Sequence, residues 1–257
     1  MMEKNRRTAP RTEDESVIVG RNPVMELLKS GRDVEKLYIQ KGEREGSITK
    51  IFAEAKKRGI VISEVDKKRL DELSFGNAHQ GVAAVASSVE YKSVAEIVAM
   101  AREKGEKPLI VVCDGVEDPH NLGAVIRCAD GAGAHGVIVS KRHCPVIGQT
   151  VFKSSAGAAS YVPIAKVANI ASAVDELKEL GVWTFAAEAD GVHYKSADFD
   201  GACAIVLGSE GDGVSRLVRE KCDFTVSIPM RGHVNSLNVS TAAAVLLFEA
   251  AQKQGRN

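Results

Sequence analysis

A chain of 257 residues with 34 basic and 34 acidic side chains, and so a formal net charge of zero, is not coated in positive charge for indiscriminate binding to nucleic acid. Its 44% hydrophobic residues and only 7 prolines exclude a disordered or collagen-like chain and match a globular protein with a sizeable core. No segment approaches the roughly 20 apolar residues that a membrane-spanning helix needs. The N-terminus is charged with no apolar stretch behind it, so the mature chain is expected to start near Met1. Five scattered cysteines (Cys113, Cys128, Cys144, Cys203 and Cys222), with no C-x-x-C pair and no histidine at zinc-ligand spacing, point to a reducing cytoplasmic compartment and to no metal.

Residues 1–15 are polar, lack apolar periodicity and hold Lys4, Arg6, Arg7 and Arg11. A solvated basic tail is expected there, with a phosphate-contacting arm as the alternative. From 16 to 88, short apolar runs at 17–19, 36–39, 60–62 and 82–86 alternate with helical patterns at 23–29 and 47–57, which predicts a small α/β unit. Residues 89–107 are charge-dense and lead into Glu-Lys-Pro at 106–108, where proline interrupts any helix; a linker with a lead-in helix is expected. The 21 Lys and Arg against 18 Asp and Glu up to residue 107, and 13 against 16 beyond it, place the slight surplus of base in the front part, where an RNA contact needs it.

After Pro108, apolar runs at 109–113, 137–140, 183–187, 204–207 and 225–228 alternate with helical patterns such as 122–132 and 170–180. Strand and helix in alternation predict a largely parallel sheet covered on both faces. Ligands of such sheets bind beyond the carboxyl ends of the strands, so the positions just after Val112, Ala187, Leu207 and Ile228 are the ones to inspect.

Three segments at those positions look chemical. The first, Asp114-Gly-Val-Glu-Asp-Pro-His-Asn121 continuing to Arg127, places Asn121 as the expected cap of a helix and Arg127 about 9 Å further along its axis. On its own it reads first as a strand-loop-helix joint with a cap and a surface arginine, since capping asparagines are frequent. The second, Leu207-Gly-Ser-Glu-Gly-Asp-Gly213, has glycines that let the backbone approach a ligand closely, without the spacing of a phosphate loop. The third, running from Pro229 to Ser240 and including Asn235, Ser236 and Asn238, puts more small polar side chains before a helix at 241–251 than one cap can use; a crowded cap and a polar site both fit. A literal G-x-G-x-x-G at 131–136 follows a helix and leads into a strand, the reverse of a dinucleotide fingerprint, and is assigned to a helix C-cap and turn. His120, His193 and His233 share no metal-like spacing, and no Ser-His-Asp pattern or carboxylate pair stands out, which disfavours metal and hydrolytic chemistry.

In this order the segments resemble the three motifs of the SpoU/TrmH family of the SPOUT superfamily: Asp118-Pro-His-Asn-Leu-Gly-Ala124 with Arg127, Leu207-Gly-Ser-Glu-Gly-Asp-Gly213, and Ser227-Ile-Pro-Met230 with Ser236-Leu-Asn-Val-Ser240. The front part is similar to that family's L30e-like substrate-binding domain through Val19-Gly-Arg-Asn-Pro-Val-Met-Glu-Leu-Leu28 and His79-Gln-Gly-Val-Ala-Ala84. The resemblance implies an α/β fold with a SPOUT-type parallel sheet and a C-terminal trefoil knot over 108–257, behind an L30e-like domain over 16–88. It implies 2′-O-methylation of an RNA ribose with S-adenosyl-L-methionine, and the front match favours the RlmB type, which modifies a guanosine of 23S rRNA. It further implies a cofactor bent in the knot and held by backbone groups near Ala187, Gly208, Ile228 and Leu237. Arg127 is then nearest the acceptor proton, either accepting it with help from a phosphate and neighbouring groups or clamping the nucleotide while another group takes it; Glu210 orients Arg127 or the acceptor, and Asn121, Ser236 and Asn238 hold loop and ribose. The family acts as a homodimer whose sites draw on both protomers. A tRNA or antibiotic-resistance rRNA methylase of the same family and a non-catalytic RNA-binding assembly factor stand as alternatives; a nicotinamide-dependent oxidoreductase is weakened by the misplaced glycines.

Overall fold

The computed structural model describes residues 17–29, 33–42, 46–74, 76–87 and 89–256, so the basic tail expected at 1–15 lies outside the described residues. Two compact units divide the chain, Met1–Ser87 and Ser88–Asn257.

The first unit contains β1 (Val17–Val19), α1 (Arg21–Lys29), β2 (Val34–Gln40), α2 (Ser47–Lys57), β3 (Ile62–Val65), α3 (Lys67–Ser74) and β4 (Val82–Ala86). Its sheet runs β1-β4-β2-β3, with β4 antiparallel to β1 and β2, and β3 parallel to β2. Alternate residues of β2 point inward, as a two-residue period requires. Leu37 and Ile39 thus meet Val24, Leu27 and Leu28 of α1 and Ile48, Ile51 and Ala55 of α2, spaced at helical intervals. The apolar run at 60–62 splits between two roles. Gly59, at φ +64°, and Ile60 close α2 by donating to the carbonyls of Lys56 (3.0 Å) and Ala55 (2.9 Å), the 5→2 and 6→1 pattern of a glycine-terminated helix, and the strand starts only at Ile62. The front segments that carried the resemblance meet here: Gln80 accepts from the Arg21 backbone N–H through Oε1 (3.1 Å) and from Arg21 Nε through its carbonyl (2.9 Å).

The second unit comprises β5 (Tyr91–Lys92), α4 (Val94–Glu103), β6 (Leu109–Cys113), α5 (Pro119–Gly131), β7 (Gly136–Ser140), α6 (Gln149–Ser154), β8 (Ile164–Val167), α7 (Ile170–Glu179), β9 (Trp183–His193), β10 (Cys203–Leu207), α8 (Arg216–Lys221), β11 (Phe224–Ser227) and α9 (Val239–Lys253). Among the described residues its sheet has seven strands in the order β11-β9-β10-β6-β7-β8-β5, every neighbouring pair parallel. Residues 89–107, read as linker and lead-in helix, hold edge strand β5 and α4. Ser93 and Glu96 start α4 reciprocally: the Ser93 hydroxyl accepts from the Glu96 N–H (3.2 Å) and the Glu96 carboxylate from the Ser93 N–H (2.6 Å).

Strand periodicity gives this sheet two apolar faces. Leu109, Val111 and Cys113 of β6, with Cys203, Ile205 and Leu207 of β10, lie under α5 and α9. Ile110 and Val112, with Ala204 and Val206, lie under α4, α7 and α8. The winding reverses between β6 and β10, so the loops leaving these two strands flank the crevice where α/β sheets bind ligands. Among the described residues no helix is long and apolar enough to cross a membrane.

Candidate active site

The loop after β6 is stopped by proline and aspartate, not by the asparagine expected to cap α5. Asp118 Oδ1 accepts the N–H groups of His120 (2.9 Å) and Asn121 (2.8 Å), and Pro119 takes the first helical position, where its missing N–H is no loss. Asn121 thus lies inside the first turn, and its side chain donates to Glu210 Oε1 at 2.9 Å.

Glu210 stands on the loop after β10. Ser209 and Gly213 close that loop through reciprocal backbone bonds of 3.0 and 3.2 Å. A Cβ on Gly208 would sit 1.9 Å from the Gly213 carbonyl carbon, so only glycine permits this approach. The loop is tied to its neighbours by two carboxylates: Asp114 accepts from the Ser215 N–H (2.8 Å) and Glu188 from the Val214 N–H (2.6 Å).

The third loop ends in Asn238, the N-cap of α9. Its Oδ1 accepts from the Ser240 N–H (2.9 Å) and hydroxyl (2.6 Å). That fixes the amide, so Nδ2 must face acceptors; it donates to Asn121 Oδ1 (3.0 Å) and Glu210 Oε1 (2.5 Å). Three segments far apart in sequence thus meet in one triangle of side chains.

Two cavities flank the glycine loop. The one of about 310 Å³ is lined by Ala187, Gly208, Ile228, Leu237, Ser236 and Glu210, and thus by every position read as cofactor-binding. The other, of about 680 Å³, extends along Asn121 and Glu210 toward Asp114. Arg127 lines neither cavity. It is exposed on α5, six residues past Asn121, so the structure groups all the expected site residues except this one. Glu188 was not singled out from sequence, although it directly follows the run ending at Ala187 that was marked for inspection, and Asp114 heads the first segment but was given no role there.

The smaller cavity has apolar walls from Leu207, Val226, Ile228 and Leu246, and three carboxylate residues, Glu188, Glu210 and Asp212, with no Lys or Arg in its lining. Such a pocket suits a ligand with an apolar body and positive charge and repels a diphosphate; a sulfonium donor fits it and a nicotinamide dinucleotide does not. Among the described residues no group of three or more His, Cys, Asp or Glu is placed to hold a metal ion.

The model of the SpoU rRNA methylase family matches residues 108–248, and that of the RNA 2′-O ribose methyltransferase substrate-binding domain matches 17–92. A TrmH family tRNA/rRNA methyltransferase of Staphylococcus haemolyticus is 45% identical over 94% of this chain and 97% of its own. The Bacillus subtilis protein YacO, named for the same family, is 41% identical over 92% and 95%. Among solved structures, the SpoU methyltransferase AviRb of Streptomyces viridochromogenes, crystallised with S-adenosyl-L-methionine, shares the fold at a TM-score of 0.59 and 24% identity over 94% of this chain and 91% of that one. An RNA 2′-O ribose methyltransferase superposes at 0.52 with 27% identity over 92% and 88%. The match of both family models, with whole-length relatives above 40% identity, shows that this chain belongs to the SpoU/TrmH family of RNA methyltransferases.

Proposed function

We propose that the protein methylates the 2′-hydroxyl of a ribose in RNA with S-adenosyl-L-methionine as donor, and that its substrate is a guanosine of 23S rRNA, as in the RlmB type. The observation that carries this reading is the Asn121–Glu210–Asn238 triangle at the rim of a cavity lined by carboxylates and no basic side chain.

When bound, the donor supplies a methyl group already activated on a sulfonium, which leaves the protein to align the acceptor oxygen and see to its proton. Backbone groups near Ala187, Gly208, Ile228 and Leu237 would hold the donor, and the close approach of Gly208 to Gly213 shapes the loop beside it. Glu210, fixed by two amide N–H donors on one oxygen, presents its carboxylate to the acceptor nucleotide; Asn121 and Asn238 set its orientation, and Ser236 adds a hydroxyl at the cavity wall. A guanidinium stays protonated and is a poor base. Arg127 therefore acts as a clamp on an RNA phosphate. Its exposed position away from its own cavity fits a homodimer in which Arg127 of the partner subunit completes each site. The front unit, where Arg21 and Gln80 join the two family segments, binds the RNA as an L30e-like domain, and the end of the second unit forms the trefoil knot. The free cysteines fit work in the reducing cytoplasm.

The test is single-turnover methylation with labelled donor and separate pools of unmodified rRNA and tRNA, the modified ribose then being mapped by reverse-transcription stops. Label in one guanosine of 23S rRNA supports the full proposal. Label in tRNA alone moves the substrate to the other branch of the family, and no transfer to either RNA contradicts the enzymatic reading.

A further inference from the structure

β9 does not pair evenly with β11. Between consecutive residues Thr225 and Val226 of β11, the partner on β9 jumps from Ala186 to Val192, so residues 187–191 stand out of the ladder as a wide bulge. Gly191 is pressed against β11 at its base, where a Cβ would sit 2.5 Å from the Val226 backbone. The bulge brings Glu188 to the 310 Å³ cavity. One carboxylate oxygen accepts from the Val214 N–H at 2.6 Å, and both crowd Gly213, whose added Cβ would lie 2.7 and 3.1 Å from them. Glu188 is half-buried. The nearby Arg219 directs its guanidinium to Asp190 at 2.7 Å.

We propose that Glu188 is the charge-selecting residue of the donor cavity: its carboxylate favours the cationic sulfonium of the donor over the neutral thioether that remains after transfer, so the spent product is held less tightly. The proposal rests on the reading of this cavity as the donor site and goes beyond it by assigning selection to one side chain outside the three motifs. Among the side chains lining the cavity, Glu210 belongs to the triangle and Asp212 is exposed, which leaves Glu188 as the half-buried carboxylate outside the catalytic network.

Calorimetric titration of S-adenosyl-L-methionine, its cationic amine analogue sinefungin and S-adenosylhomocysteine into the full chain tests it, on the wild type, Glu188→Gln and Glu188→Asp. Glutamine keeps an acceptor for the Val214 N–H and removes only the charge; thermal unfolding of each variant checks the loop. The expected result is tighter binding of both cations than of the thioether by the wild type. Glu188→Gln then loses about tenfold for the cations and less than about twofold for the thioether, the scale of one partly buried charge pair, while Glu188→Asp retains the preference. Equal loss for all three ligands, or a wild type that binds the thioether as well as the cations, overturns charge selection, and the wild-type result does so whether or not the glutamine variant folds. No binding of any of the three to the wild type overturns the donor reading itself, and this proposal with it.

Discussion

Asn238 joins two functions that a substitution can separate. As N-cap it secures α9 through Oδ1, and as donor it reaches Asn121 and Glu210 through Nδ2. Asn238→Asp keeps the capping oxygen but sets a second carboxylate against Glu210, so we expect thermal stability near wild type with turnover down by about 10²-fold, the cost typical of a lost, preorganised site donor. Asn238→Ala also removes the cap, about 1 kcal/mol, which a thermal melt reads as a drop of roughly 2–4 °C. Arg127→Ala is expected to abolish turnover while calorimetry shows donor affinity unchanged; near-normal turnover would remove Arg127 from the mechanism. The triangle was legible in part. Loop residues of the right type stood after strand ends, but Asn121 looked like a cap until Asp118 proved to hold that place, and Glu188 has meaning only through its contact with Val214, 26 residues away.

For the elements, the decisive joint is the glycine loop against β10. Gly208→Ala places a methyl within 1.9 Å of the Gly213 backbone, and since backbone cannot swing aside as a flexible side chain can, the loop must open. Donor binding is expected to weaken by more than about tenfold, a loss of over 1.4 kcal/mol, while the far-ultraviolet circular dichroism stays that of the wild type. Unchanged affinity would show that the loop does not shape the cavity. The long apolar strands and the amphipathic helices were readable from periodicity. Strands β5 and β8 were not: two and four residues long, ending in Lys92 and in Lys166-Val167, they offer too few positions for a two-residue pattern and are strands because neighbours supply their hydrogen bonds. Helix α3, KKRLDELS, buries little beyond Leu70 and carries no apolar stripe to read.

In the whole molecule, the end of the second unit remote from the site is pinned by a buried histidine. His135 Nδ1 accepts from the Leu109 N–H (3.1 Å), its Nε2 faces Glu106 (3.2 Å), and Arg256 bonds Glu106 (2.9 Å) and the Gly133 carbonyl (2.7 Å). Burial, and then the charge of Arg256, push the imidazole pKa down against the pull of Glu106. The unfolded chain therefore binds this proton more readily than the folded one, and the stability from neutral His135 is complete above the unfolded value of about 6.5 and declines as pH falls through it. Thermal melts between pH 7 and pH 5 are expected to fall less steeply for His135→Gln than for the wild type. The architecture at this scale was legible because alternating strands and helices permit few windings; the reversal between β6 and β10 emerges only from long-range pairing. In the proposed function, this crevice delivers a methyl group to a sugar oxygen and not to a base. Nucleoside mass spectrometry of unmodified 23S rRNA after reaction with the protein and S-adenosyl-L-methionine tests that claim most directly: it predicts new 2′-O-methylguanosine at one position, and the methyl on the base, or no methylated nucleoside at all, would contradict it.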